Sequence, residues 1–361
     1  MRGSRTPKTT TKTTTTMASP TSTCNVWDLT VDELFSHPQS EGRITTPIQQ
    51  CCLFCGFVVV LVWVVSELTQ NFSQVDKLWS IVPAVYAWLL VAGNDDRTFL
   101  MALLLSIWGG RLTYNFSRRG GYQWPPWTGD EDYRWKYIQD GYLLPIFKNK
   151  VAWRLFNFGF VALYQNLLLM LIASPSVFAY IVATRPECQS IHSKGLNGLD
   201  LAASCLVLGF VIIESIADNH QYNFQEEKYR RRRLVEAGEG SADELLVGEY
   251  GDGFTQSGLF SIVRKPNYAA EQSIWISFYL FSISCFEPSS RSKAVWMNWS
   301  AVGWILLCLL FQGSGWFTER LTIPKYPKYK EYMQTTPLYV PNPFKLLFFS
   351  NERKSSKTKG D

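Results

Sequence analysis

Residues 199–218 read LDLAASCLVLGFVIIESIAD, and this stretch decides the architecture. Its length matches the ~20 apolar residues that carry an α-helix across a hydrocarbon core of about 30 Å. It nevertheless ends on Glu214 and Asp218, four residues apart and therefore on one helix face. A carboxylate at the centre of a membrane helix costs roughly 2.5–3.5 kcal/mol. Ordinary capping at a membrane exit accounts for Asp218 but not for Glu214, three residues after Val211. Four more acids lie inside or at the edge of apolar runs: Glu67, Asp76, Glu271 and Glu319. Snorkelling accommodates one such residue. Six of them, flanked by Arg, Asn and Tyr, predict a polar cavity between helices, and hence an enzyme in place of a passive anchor.

Working outward, apolar runs fall at about 50–66, 78–93, 98–114, 155–183, 199–217, 268–286 and 295–313. The fold class predicted is all-α: a polytopic membrane helix bundle of about seven transmembrane helices with cytosolic loops. The mean hydropathy of −0.05 hides this, because polar loops dilute the apolar blocks. The fourth run carries Pro175, which predicts a kinked or tilted span. Trp79, Trp108, Trp153, Trp296, Trp299 and Trp316 cluster at run ends, as interfacial belts require. Residues 1–46 are expected to form a disordered Thr/Ser/Lys-rich region, 47–345 the membrane domain and 346–361 a basic cytosolic tail. Nothing apolar follows the basic start before position 47, so no signal peptide is expected.

The eight cysteines show no framework spacing, and core packing is expected for them. Cys51, Cys52 and Cys55 crowd the first run, but no second Cys or His cluster completes a zinc site, so no metal is predicted. Seven spans place the termini on opposite sides. Lys and Arg concentrate in the connections 67–77, 114–154 and 218–267 and in the tail, which the positive-inside rule puts in the cytosol. The end Lys357-Thr358-Lys359-Gly360-Asp361 resembles a dilysine retrieval signal of the endoplasmic reticulum and agrees with a cytosolic C-terminus. The run Arg230–Arg233 is interleaved with Glu226, Glu227, Glu236 and Glu239, and reads as a solvated helix face, not a nucleic-acid site.

With that topology the suspicious polar residues gather at one rim. Glu214 and Asp218 form the first group. The second is Arg264-Lys265-Pro266-Asn267-Tyr268-Ala269-Ala270-Glu271, where Pro266 suits a first helical turn. Basic side chains there meet free N–H groups of a helix N-terminus, a combination that favours phosphate. The third runs Gly313-Ser314-Gly315-Trp316-Phe317-Thr318-Glu319-Arg320, ahead of Tyr326-Pro327-Lys328-Tyr329. The fourth is Arg111-Leu112-Thr113-Tyr114-Asn115-Phe116-Ser117-Arg118-Arg119, whose Arg111, Tyr114, Asn115 and Arg118 share a helical face. An anchor explains Arg118 and Arg119; it does not explain Arg111. No Gly-x-Gly-x-x-Gly follows a strand, so any nucleotide site must be built from membrane helices and loops.

Together with Val75-Asp76-Lys77-Leu78-Trp79-Ser80 and Gly129-Asp130-Glu131-Asp132-Tyr133-Arg134, these segments resemble the steroid 5-alpha-reductase superfamily, most closely its DUF1295 branch. The resemblance runs through roughly residues 70–345 and implies an NADPH-dependent reductase of a carbon–carbon double bond in a lipid such as a sterol. It implies that Asp218, Arg264, Asn267, Tyr268 and Glu271 hold the cofactor, with Glu214, Glu319, Asn115 and Arg118 as additions. For the proton donor that polarises the substrate carbonyl, Asp76 and Tyr114 are the candidates, since a carboxyl kept neutral by an apolar site donates as well as a phenol. A membrane methyltransferase using S-adenosylmethionine on isoprenylcysteine or phospholipid is the alternative, and a non-catalytic lipid-binding protein a third.

Overall fold

The computed structural model describes residues 24–35, 44–93, 95–291 and 293–342. Among them the elements are helical, with a lone antiparallel bridge between His192 and Phe286. The helices are α1 (Val26–Phe35), α2 (Pro47–Thr69), α3 (Gln74–Leu78), α4 (Val82–Leu89), α5 (Asp96–Ser117), α6 (Tyr133–Gln139), α7 (Lys150–Ile172), α8 (Ser174–Thr184), α9 (Gly198–Glu236), α10 (Pro266–Ser284), α11 (Ala301–Thr322) and α12 (Tyr329–Thr335), with single turns between them. Four of them, α2, α7, α9 and α11, are long and apolar enough to cross a membrane. The chain is an all-α membrane bundle. Helix length does not establish the expected count of seven: α4 has 8 residues and α8 has 11, each short of a crossing.

Local chemistry sets the helix starts. Thr46 and Gln49 close a reciprocal capping box ahead of α2, and Pro47 occupies its first turn, where a missing N–H costs nothing. Asn197 and Asp200 do the same for α9. The expected kinked span at 155–183 is instead two helices. α7 ends at Ile172, and Pro175 sits in the first turn of α8, a position it favours over a helix interior. Within α7, residues Asn157–Tyr164 are wound as a π-helix. The widened turn carries Asn157, whose amide donates to Glu67 at 2.9 Å.

α9 continues well past its apolar run. Its 39 residues at 1.5 Å each make it about 58 Å long, nearly twice the hydrocarbon thickness. The segment past Asp218, part of the expected cytosolic connection, therefore projects as helix beyond the membrane, and Glu227 ties down Arg230 and Arg231 on its surface at 2.7 Å each, in keeping with the solvated helix face read for Arg230–Arg233.

α5, α9 and α10 are clamped together at both ends. At one end Arg97, fully buried, pairs with Asp200 at 2.8 Å and donates to the carbonyls of Ser193 and Gly195. Ser284 of α10 also bonds Asp200. At the other end lies the charged cluster described below. α1 packs at the Arg97 end, within the segment 1–46 expected to lack structure; the rest of that segment before Cys24 and at 36–43, and the tail 346–361, lie outside the described residues. Cys24 and Cys188 form a disulfide, which corrects the expectation that all cysteines pack as free thiols. The belt reading also needs correction for two tryptophans. Trp108 and Trp153 are buried in the core, whereas Trp296 and Trp316 are about half exposed.

Candidate functional site

Arg111 organises the site. It sits in the last third of α5 and points between α9 and α10. Its Nη2 lies 2.5 Å from Glu214 Oε2, its Nη1 2.8 Å from Asp218 Oδ2, and Nη2 is 3.6 Å from Glu271 Oε2. The i,i+4 spacing of Glu214 and Asp218 presents both to one guanidinium. All four side chains are close to nine-tenths buried or more. Three carboxylates around one enclosed cation leave an excess of acceptors, and the neighbours supply donors. Glu271 accepts the indole N–H of Trp108 and of Trp275, each at 2.9 Å, and the two rings meet edge-to-face. Asp218 accepts the amides of Asn115 at 2.8 Å and Asn267 at 3.4 Å, and Arg119 stands 3.6 Å away.

At the mouth of this cluster lies Arg118. Its guanidinium donates to the side-chain oxygens of Asn115 (2.7 and 3.0 Å) and Asn219 (2.5 Å) and stacks over the Tyr222 ring at 4.5 Å. These partners are neutral amides and a phenol, so none cancels its charge. Beside it Arg119 is 44% exposed and shares Asp218 with Arg111. Together they form a cationic rim above a carboxylate-rich interior.

Arg264 behaves differently. It makes a two-pronged ion pair with Glu319, 2.7 and 3.2 Å, and its Nη1 donates to the carbonyls of Met333 and Thr336. Tyr329 adds a hydrogen bond to Glu319 at 3.1 Å. This saturated knot ties the start of α10 to α11 and α12, and leaves Arg264 and Glu319 little to offer a ligand. Glu271 is committed in the same way by two indoles. Tyr268 packs edge-on against Phe311 and lies near the Tyr339 ring.

The structure brings Asn115, Arg118, Glu214, Asp218, Asn267 and Glu271 into one cluster. Asp76 and Tyr114 stand apart from it. Asp76 lies on α3 at the membrane rim, where its Oδ2 accepts the Trp135 indole at 3.4 Å. Burial and the nearby Asp132 push its carboxyl above the usual range, against a pull from Arg134. Arg134 itself grips Asp132 and donates to Ser314 of α11 at 2.6 Å. Tyr114 is 66% exposed and touches the site only through Arg118, 5.6 Å from its ring. Sequence reading missed the Arg97–Asp200 clamp, although the capping spacing Asn197-x-x-Asp200 is a legible signal. It also treated Trp108 as a membrane anchor, because an indole at a run end has the same look whichever way it points.

Residues 62–336 match the family model described as a protein of unknown function, DUF1295. The chain belongs to the DUF1295 family. A curated relative in Schizosaccharomyces pombe, itself described as uncharacterised, is 33% identical over 289 residues, covering 78% of this chain and 76% of its own length. No solved structure matches. The site residues from Arg111 to Glu319 all fall inside the DUF1295 region, as does Asp76.

Proposed function

We propose that this DUF1295 protein is a membrane-embedded, NADPH-dependent reductase of a carbon–carbon double bond in a lipid, held in the endoplasmic reticulum with its site and C-terminus toward the cytosol. The observation that carries the reading is Arg118: a guanidinium fixed over Tyr222 by amide oxygens alone, beside Arg119, at the open edge of a buried polar cluster. Such a charge suits a phosphate dianion, the group that distinguishes NADPH from NADH. Arg118 and Arg119 would hold that phosphate, and Asn267 and Asn115 would fix the approach of the nucleotide against Asp218. Arg264, paired to Glu319, acts on this site by fixing the start of α10.

When bound, NADPH supplies hydride to the β-carbon of an enone or enoyl group. The chain's part is to position and to protonate. Asp76 is the preferred donor over Tyr114, because its partly buried carboxyl is held toward the protonated form while the Tyr114 phenol faces outward. Of the ion pair beside it, Asp132 favours the protonated carboxyl and Arg134 opposes it, so burial is the main cause that keeps the proton on Asp76.

The test is a thermal-stability titration of purified protein in mild detergent with NADPH, NADH and S-adenosylmethionine, repeated on Asn267→Ala. A ligand at 100 times its dissociation constant stabilises the folded state by about 2.7 kcal/mol. Stabilisation by NADPH that Asn267→Ala abolishes supports the reductase. A response to S-adenosylmethionine alone moves the assignment to methyl transfer, and silence from all three to non-catalytic lipid binding.

A further inference from the structure

We infer that the Cys24–Cys188 disulfide is a staple formed in an oxidising lumen, and that it orients the whole bundle with the charged cluster facing the reducing side. The two cysteines are 164 residues apart, yet their Cα atoms approach to 4.9 Å. That approach does not depend on the sulfurs alone. α1 is docked at the same place by Glu33–Arg185 at 2.7 Å, by Thr46 donating to the Glu33 carbonyl, and by Gln49 donating to the Leu34 carbonyl. The Trp27 ring meets Trp299 at 6.3 Å. The cysteines are therefore held within bonding reach by packing, and disulfides persist in secretory and extracytosolic compartments while thiols stay reduced in the cytosol.

The position of the staple in the bundle gives the direction. Cys188 follows α8 in the connection 184–198, which is stitched to the turn after α10 by Ser193 N–H to the Cys285 carbonyl and Glu287 N–H to the Ile191 carbonyl. This is the Arg97–Asp200 end. The Arg111 cluster lies at the opposite ends of α5, α9 and α10. Charge distribution, an independent quantity, points the same way. The connections 94–97, 184–198 and 287–294 on the staple side carry five Lys and Arg, against fifteen in 67–77, 114–154 and 218–267 on the cluster side. Positive connections stay in the cytosol. The six free cysteines, Cys51, Cys52, Cys55, Cys205, Cys285 and Cys308, all belong to helix stretches or ends nearer the staple, so none competes at the cluster mouth.

The test uses the full chain in sealed microsomes with the cytosolic face outward. Denaturing the wild-type protein and counting maleimide–polyethylene glycol adducts is expected to give six, rising to eight after reduction, with a linked Cys24–Cys188 peptide in the mass spectrum. Eight adducts before reduction overturns the staple. A membrane-impermeant maleimide on intact vesicles is expected to label Ser356→Cys and to spare Cys24 in Cys188→Ser until the vesicles are permeabilised. Labelling of Cys24 in sealed vesicles, or of Ser356→Cys only after permeabilisation, overturns the orientation. The adduct count on the wild-type chain is unaffected if either variant fails to fold.

Discussion

Replacing Arg111 by Met keeps much of the side chain's length and apolar stem while deleting the charge that three carboxylates share. Arg111 is 12% exposed, and Glu214, Asp218 and Glu271 are 5–6% exposed. Breaking a buried pair by removing one partner costs about 3–5 kcal/mol, because the remaining charge is stranded. An exposed pair would cost at most about 1 kcal/mol. Here two partners at 2.5 and 2.8 Å lose their counter-ion at once, so the upper part of the buried range applies. At roughly 2 °C per kcal/mol for a chain of this size, about 4–5 kcal/mol should lower Tm by about 8–10 °C. Glu214→Gln alone should cost less, since it keeps the shape and removes one of the surplus acids. The double variant Arg111→Met/Glu214→Gln should be less destabilised than the sum of the two singles. Thermal unfolding in a fixed detergent, followed by tryptophan fluorescence, reads all three. A drop under 2 °C for Arg111→Met, or a simple sum in the double variant, would refute the claim that this cluster is a buried, charge-coupled unit.

Other expectations rest on single contacts. Arg118→Gln should weaken NADPH binding about 10- to 100-fold, from the ~1.5–3 kcal/mol of a charged hydrogen bond, and leave NADH binding unchanged in a fluorescence titration; equal losses for both would mean that Arg118 does not read the extra phosphate. Trp108→Phe should lower stability by about 1–3 kcal/mol, because Glu271 loses a buried donor, and Tm measures it. Gly303 lies where an added Cβ would run into the Leu171 carbonyl and the backbone of Ile172, so Gly303→Ala should push α11 from α7 and cost about 1–3 kcal/mol. Lys228, on the part of α9 beyond the membrane, is buried among Phe224, Tyr229 and Tyr326, and burial lowers its amine from 10.5 to about 8. Below pH 8 it is charged in both folded and unfolded chains, and the folded state bears the full burial cost. Between pH 8 and 10.5 the folded chain gives up the proton first, so wild-type stability should rise with pH relative to Lys228→Met; a flat difference in Tm across that window would contradict the placement.

Much of the fold is local information. An apolar run of bilayer length, a capping pair such as Asn197 and Asp200, or an i,i+4 pair such as Glu214 and Asp218 is readable because helix geometry relates residues only a few positions apart. So the membrane bundle, the acidic rim and the anomaly of Arg111 are all legible in the sequence itself. Local reading failed where two signals look alike. Pro175 can kink a helix or begin one, and an indole such as Trp108 at the end of an apolar run can face the membrane edge or the core. Tertiary structure alone decided the partners. Trp108 finds Glu271 across 163 residues, Arg264 finds Glu319 across 55, and Cys24 finds Cys188 across 164. Those pairings tie Arg264 to Glu319, whereas the partners of Arg118 among the described residues are neutral amides and a phenol. Hydropathy and helical period specify which faces must be buried; which buried groups meet depends on how the helices pack, and no periodicity carries that.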